Sequence, residues 1–449
     1  MTRRLLLAWV VMATACVSAR AQSPFPRDLI PTRTALARLG LERHWATPIP
    51  LGVDERVMGI SQAEGLIFAQ TDKGYFHTID AESGQLLWST RLGETTARVR
   101  GASVNSFAVY VSNLNRMFAL DRRTGVQMWV RELNGLPASA TSCDENLAMI
   151  GLITGKVYAY HVKTTADGKT KIADKGQDAW NWQTGKTVQT RPLLAGKFVV
   201  FGSDDGKVYV ALADERSMLY RIATGGAIGA GFATHGTRTL FATSADNNVY
   251  AIDLFTAAVN WTYASGAPIE QEPMVAGNDL IVVNTAGQLT SLDIKSGSPR
   301  WITSTRGGHL LAIGEKRIYL ASHDGDLFIV DRNTGQTVAD PPATRTRAGV
   351  NTRSYNYMIT NRLNDRIYMG TESGLVLSLR EAGQIAPRVL RDAKEKPFGY
   401  IPPEGVSLTP KPAAAEPPAE GRGPAGRSAA PPPAEGSAPP PPRKTRIDS

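Results

Sequence analysis

Short apolar segments flank polar turns along most of this chain, as LIFAQ (66–70) and YFHTI (75–79) do around Thr71-Asp72-Lys73-Gly74. The layout returns as FVVFG and KVYVAL around Ser203-Asp204-Asp205-Gly206, and as RIYLA and DLFIV around Ser322-His323-Asp324-Gly325. Apolar runs of this length, broken by turn residues, predict antiparallel hairpins. The last turn position holds Gly74, Asn115, Gly155, Gly206, Asn247, Gly287, Gly325 and Gly374, residue types that tolerate positive φ. Each copy is therefore predicted to turn tightly through a left-handed residue. Acids such as Asp204 and Asp205 have the look of cation ligands. Turn chemistry accounts for them without a metal, because the column does not carry an acid in every copy.

Six residues after each turn position comes an Asp slot, and eight beyond that a large apolar residue: Asp80 and Trp88, Asp121 and Trp129, Asp253 and Trp261, Asp293 and Trp301. Weaker copies pair Leu212 with Tyr220 and Asp331 with Ala339. One more has His161 in the Asp slot, a polar insertion over 163–178, and then Trp180 and Trp182. A second turn, such as Glu82-Ser83-Gly84 or Arg123-Thr124-Gly125, separates slot from Trp. Four short strands recurring at about 40 residues describe the blades of a β-propeller. On this reading the Asp caps a turn and the Trp is a plate wedged between blades.

Counting closes the ring. Eight hairpins are followed by only seven outer strands, while HWATPIPLG (44–52) matches LWSTRLG (87–93) with no hairpin before it. The N-terminal strand is predicted to complete the last blade and remove an exposed sheet edge. The expected fold is an all-β, eight-bladed propeller of four-stranded antiparallel blades over 44–391. Its docking plates are Trp45, Trp88, Trp129, Trp182, Tyr220, Trp261 and Trp301, with Ala339 in the remaining place.

The ends read differently. Arg3 and Arg4 precede an apolar run from Leu5 to Val17, and Ala19-Arg20-Ala21 resembles a cleavage site. A signal peptide over 1–21 and a linker over 22–43 are expected, placing the chain in the periplasm or outside the cell. The alternative is a lipid anchor at Cys16, after Ala13-Thr14-Ala15. No stretch is long enough for a transmembrane span. Residues 392–449 are rich in Pro, Ala, Gly and charge, a composition expected to stay disordered.

Export changes what the net charge of +9 means: the expected partners are envelope proteins or anionic polymers, not nucleic acid. Cys143 is the one cysteine beyond the leader, so no internal disulfide is available and it reads as a small buried hydrophobe.

The repeat Ala119-Leu120-Asp121 through Gly125 to Trp129 resembles the tryptophan-docking repeat of quinoprotein-type propellers, over about 44–382. The resemblance implies the propeller fold more sharply than it implies an activity. Dehydrogenases of this kind bind pyrroloquinoline quinone and calcium above the central channel and carry adjacent cysteines. This chain lacks the cysteine pair, and no motif in it matches a calcium set. It therefore resembles more closely the outer-membrane β-barrel assembly lipoprotein, a periplasmic scaffold, and no cofactor is expected.

No G-x-S-x-G, H-E-x-x-H or phosphate loop is present. His309 and His323 read as isolated polar residues. One constellation remains. Reading back from each hairpin places Arg56, Arg100, Arg191, Glu272, Arg306 or His309, and Arg353 at the entry of the inner strands, around one mouth of the channel. A ring biased toward Arg focuses positive potential on that opening, unless neighbouring acids pair with it. The expectation is a non-catalytic, monomeric, exported propeller acting as a binding platform in the cell envelope. The alternatives are a quinone-dependent oxidoreductase and a surface or adhesive module.

Overall fold

Each copy of the repeat folds into one four-stranded antiparallel sheet, and eight such sheets form the β-propeller. The computed structural model describes residues 29–390, with 96–99, 167–168, 196, 237 and 306 excepted and no side chains at 164–170 and 173–175. The expected signal peptide and Pro-rich tail lie outside the described residues. In the first blade the strands are Val57–Ala63 (inner), Leu66–Thr71, Tyr75–Asp80 and Leu86–Arg91 (outer), paired in that order.

The inner strands surround the channel, and the sheets bury their faces against one another. Between the first two blades, Phe68, Phe76 and Trp88 pack with Val109, Val111, Phe118 and Leu120, all buried. Phe68 and Phe76 stack with ring centroids 5.2 Å apart.

The Asp of the repeat caps its own turn. Asp80 accepts hydrogen bonds from the Ser83 amide and hydroxyl, each at 2.7 Å. Asp121, Asp253, Asp293 and Asp331 accept from the matching turn amides. The carboxyl of Asp331 is held below its usual range, first by the Thr334 amide and then by its hydroxyl.

The Trp that follows reaches into the next blade. Trp88 Nε1 donates to Arg122 O at 2.9 Å, Trp45 to Ala81 O at 3.0 Å and Trp301 to Arg332 O at 2.9 Å. Tyr220 makes the same link with its hydroxyl, donating to Leu254 O. The third blade corrects the sequence reading: the plate is Trp180, not Trp182. Trp180 pairs with Ala159, is 4% exposed, and donates to Ala213 O at 2.8 Å. Trp182 lies two residues further along, over Arg216. The insertion that hid this is a long hairpin, Lys156–Ala166 with Lys169–Gln183, whose register shifts let extra residues enter without moving the plate.

The turn glycines are as expected, with one exception. Gly74, Gly206 and Gly325 have φ of 86°, 78° and 82°. In the second blade Leu114 takes the positive φ (50°), not Asn115, because Asn113 pairs directly with Arg116 across a two-residue turn.

The turn glycine under Trp45, Trp88, Trp261 and Trp301 is constrained twice. Gly125 has φ +70°, and a Cβ there would lie 2.3 Å from Trp88 Cε3. Gly125→Ala is expected to cost roughly 2–5 kcal/mol in urea unfolding, from left-handed strain plus overpacking. Gly65→Ala is the comparator, since its φ is +79° but nothing lies within 4 Å of the added carbon. It should lose only about 1–2 kcal/mol. Equal losses for the two would remove the role assigned to plate packing.

Closure follows the count of strands. Leu41–Pro48 is the outer strand of the last blade, antiparallel to Leu375–Glu381, and Trp45 faces Ser378. A short helix, Arg33–Ala37, precedes it, capped by Thr32, whose Oγ1 accepts from the Ala35 amide at 3.2 Å.

Candidate functional site

Inner strands of seven blades, with Arg191 ahead of the fourth inner strand, line a channel cavity of about 550 Å³. Small residues such as Gly101, Ala140 and Ser142 line much of it, which keeps it open despite the short strands. Five ionisable side chains, Glu64, Arg191, Glu272, His309 and Arg362, share it with Cys143.

Two arginines span this space. Arg191, ahead of the fourth inner strand, reaches across to the second blade and donates from Nη2 to Ala102 O at 2.5 Å. Its guanidinium also lies over Gly101, where a Cβ would come within 3.5 Å of Nη2. Arg362, after the inner strand of the last blade, pairs with Glu272 of the sixth. The Glu272 carboxylate rests on Gly231 of the fifth blade, where a Cβ would come within 2.4 Å of Oε2.

Burial first, and then the charge of Arg362, lowers the Arg191 pKa to about 10, which leaves it charged at neutral pH. Among the described residues Arg191 Nε has no hydrogen-bond partner, and neither does Ser142 Oγ or Gln62 Nε2, which line the same cavity. Burial lowers the pKa of His309, whose Nε2 sits 2.9 Å from Thr360 Oγ1, so it is neutral near pH 7. The Cys143 thiol is pushed up by burial and stays protonated, which makes it a poor nucleophile.

Of the residues read from the sequence, Arg191, Glu272 and His309 meet in the channel. Arg100 stands beside Gly101 at its wall, and Arg306 lies outside the described residues. The other two turn to acids in the hairpin turns. Arg56 Nε is 3.9 Å from Asp72, and Arg353 donates from Nη2 to Asp324 at 3.0 Å and to Asp326 at 2.8 Å. Arg362, Glu64 and Leu390 were missed. Arg362 and Leu390 stand after the last inner strand and the last blade, where reading back from a hairpin does not look. The arrangement brings two guanidiniums and two carboxylates, Glu64 and Glu272, to one cavity, with Arg362 and Glu272 paired.

Among the described residues, no group of three or more His, Cys, Asp or Glu is placed to hold a metal ion. None of their helices is long and apolar enough to cross a membrane.

The sequence profile of a family described as "Outer membrane protein assembly factor BamB" matches residues 42–217 and 210–395. The chain belongs to the BamB family. Together the two matches run through every blade of the ring.

Among BamB relatives, the chain is 22% identical over 234 residues to the protein of Burkholderia pseudomallei, covering 48% of this chain and 58% of that one. Against the protein of Shewanella oneidensis it is 24% identical over 291 residues, covering 62% of each. The match thus spans about three-fifths of these relatives' own length. The crystal structure of BamB from Moraxella catarrhalis superposes with a TM-score of 0.60 at 16% identity, over 76% of this chain and 97% of that one. At that identity the likeness speaks for the propeller fold.

Proposed function

We propose that this chain is a non-catalytic, exported scaffold for outer-membrane protein assembly, docking an acidic segment of an envelope protein at the channel mouth. The observation that carries this reading is the BamB-family match on both halves of the ring, the family's relatives being named as outer membrane protein assembly factors. The channel chemistry supports it. Glu272 is held by Arg362, Arg191 is charged with an unpartnered Nε, and a cationic wall of this kind favours an acidic visitor over a calcium ion. A basic chain in the envelope meets acidic partners by electrostatic steering, so association should weaken as salt rises.

The test is depletion of the chain in its host. Folded outer-membrane β-barrels are expected to fall, and the wild-type chain to restore them. Arg100→Ala with Arg191→Ala should bind envelope partners at least about tenfold more weakly, the scale expected for losing two cations from one docking surface. The variant must keep its melting temperature for the result to count. Unchanged barrels on depletion would remove the scaffold reading. Full restoration by the folded double variant would remove the channel mouth alone and move the docking surface to the blade edges.

A further inference from the structure

Two stretches that are 300 residues apart in the chain share one feature: residues 29–41 and 341–364 contain arginines and no Asp or Glu. The fold packs the first against the earlier part of the second, beside the last two blades, while Tyr357–Ile359 and Arg362 turn to the channel. Ala35, Leu36 and Leu39 of the N-terminal segment join Ala348, Val350 and Tyr355 in one buried cluster. Arg38 Nη1 donates to Ala348 O at 3.3 Å, beside Arg347, and Tyr355 Oη donates to Leu29 O at 2.8 Å.

This packing groups Arg33, Arg38, Arg43, Arg345, Arg347 and Arg353. Arg345 and Arg353 are committed inward, because both hold the buried Asp326 carboxylate. Arg347 is 76% exposed and meets only the edge of Asp340, at 3.6 Å. Arg33, Arg38 and Arg43 are exposed and enter no ion pair among the described residues. What remains are four exposed arginines: Arg33 and Arg38 on the helix and its C-terminal cap, Arg43 on the strand that follows, and Arg347 at the end of the segment packed against them.

We infer that this arginine face docks on the phosphate headgroups of an anionic membrane leaflet and orients the ring against it, an inference that rests on the envelope location proposed above. Three observations favour lipid phosphate over an acidic protein segment. Every cation in the two stretches is Arg, whose planar fork binds phosphate oxygens in pairs. None of the four exposed arginines lines the channel cavity, so they stand apart from the site proposed for an acidic segment. The chain also enters the face at Leu29, 13 positions after Cys16, so a lipid at that cysteine would keep the face within about 45 Å of the bilayer.

The experiment is flotation of the exported chain with extruded vesicles of phosphatidylglycerol in phosphatidylcholine, against phosphatidylcholine alone. Binding is expected to the anionic vesicles only and to fall with salt. Arg33→Gln, Arg38→Gln and Arg347→Gln together should lower partitioning about a hundredfold, at roughly fivefold for each basic residue near the surface. An equal change of net charge on the far blades, Arg123→Gln, Arg216→Gln and Arg221→Gln, should lower it by no more than a few fold.

Absence of binding to anionic vesicles overturns the inference, as does an equal loss in the control triple. Capture by polyglutamate through the same three arginines without vesicle binding overturns it in favour of an acidic protein. None of these results bears on β-barrel levels in depleted cells, so this face and the scaffold reading can fail separately.

Discussion

Removing residues 22–52 should abolish the cooperative unfolding transition of the ring, or lower its midpoint by more than about 10 °C, whereas removing 401–449 should leave it in place. The first deletion takes away the outer strand of the last blade, Leu41–Pro48, with its pairing to Leu375–Glu381. It also removes Trp45, which is 8% exposed and donates to Ala81 O of the neighbouring blade. Losing a buried Trp costs about 3–5 kcal/mol and its hydrogen bond about 1 more. The exposed edge of Leu375–Glu381 adds to this, and a typical domain has only about 5–15 kcal/mol in all. The second deletion removes a stretch with almost no apolar residues to bury. Thermal unfolding followed by circular dichroism separates the two, with Trp45→Ala as a milder version of the first. Equal midpoints for the two truncations would mean that the ring does not depend on its N-terminal strand.

A second large effect is expected at Arg366, a fully buried arginine beside the closure seam. Its Nη2 meets Glu82 Oε1 at 3.0 Å and Ile385 O at 2.6 Å, and its Nη1 donates to Gln384 O at 3.2 Å. Asp365, 1% exposed, lies 3.5 Å away, its pKa raised chiefly by burial. Arg366→Met should therefore cost about 3–5 kcal/mol in urea unfolding, because it leaves Asp365 buried without its cation and two carbonyls without a donor. Asp365→Asn in the same chain should recover at least about 1 kcal/mol. The amide oxygen still accepts from the Arg388 amide, now 3.0 Å from Asp365 Oδ1, but no longer carries charge. Additive losses in the double-mutant cycle would show that the two groups do not sense one another.

The same seam shows where reading from sequence stops. Its strands and plates were legible, because the strong repeats write their own turn residue, Asp cap and Trp within fifteen residues, and those interactions are local or fall on the next blade. The N-terminal eighth plate was also legible, since a missing outer strand and a spare one at Trp45 can be counted without coordinates. The third blade was misread by two residues. Trp180 and Trp182 are equally good plates until bulges in the inserted hairpin set which one faces Ala159.

Charge was the least legible property. The sequence placed arginines at the inner-strand entries, but Arg56 and Arg353 turn to Asp72, Asp324 and Asp326, and that choice depends on side-chain reach between turns and loops. Arg191 and Arg362 enter the channel because the blades opposite offer a carbonyl and a carboxylate. The two arginine stretches can be read from the sequence, but not that they meet, since they come together only when the ring closes. By itself the sequence determined the repeat, the blade count and the closing strand, because short-range turn chemistry and burial dictate them. Only the tertiary structure decided which charges pair and which remain for a partner, because a charge takes its partner from whatever the fold brings within a few ångströms.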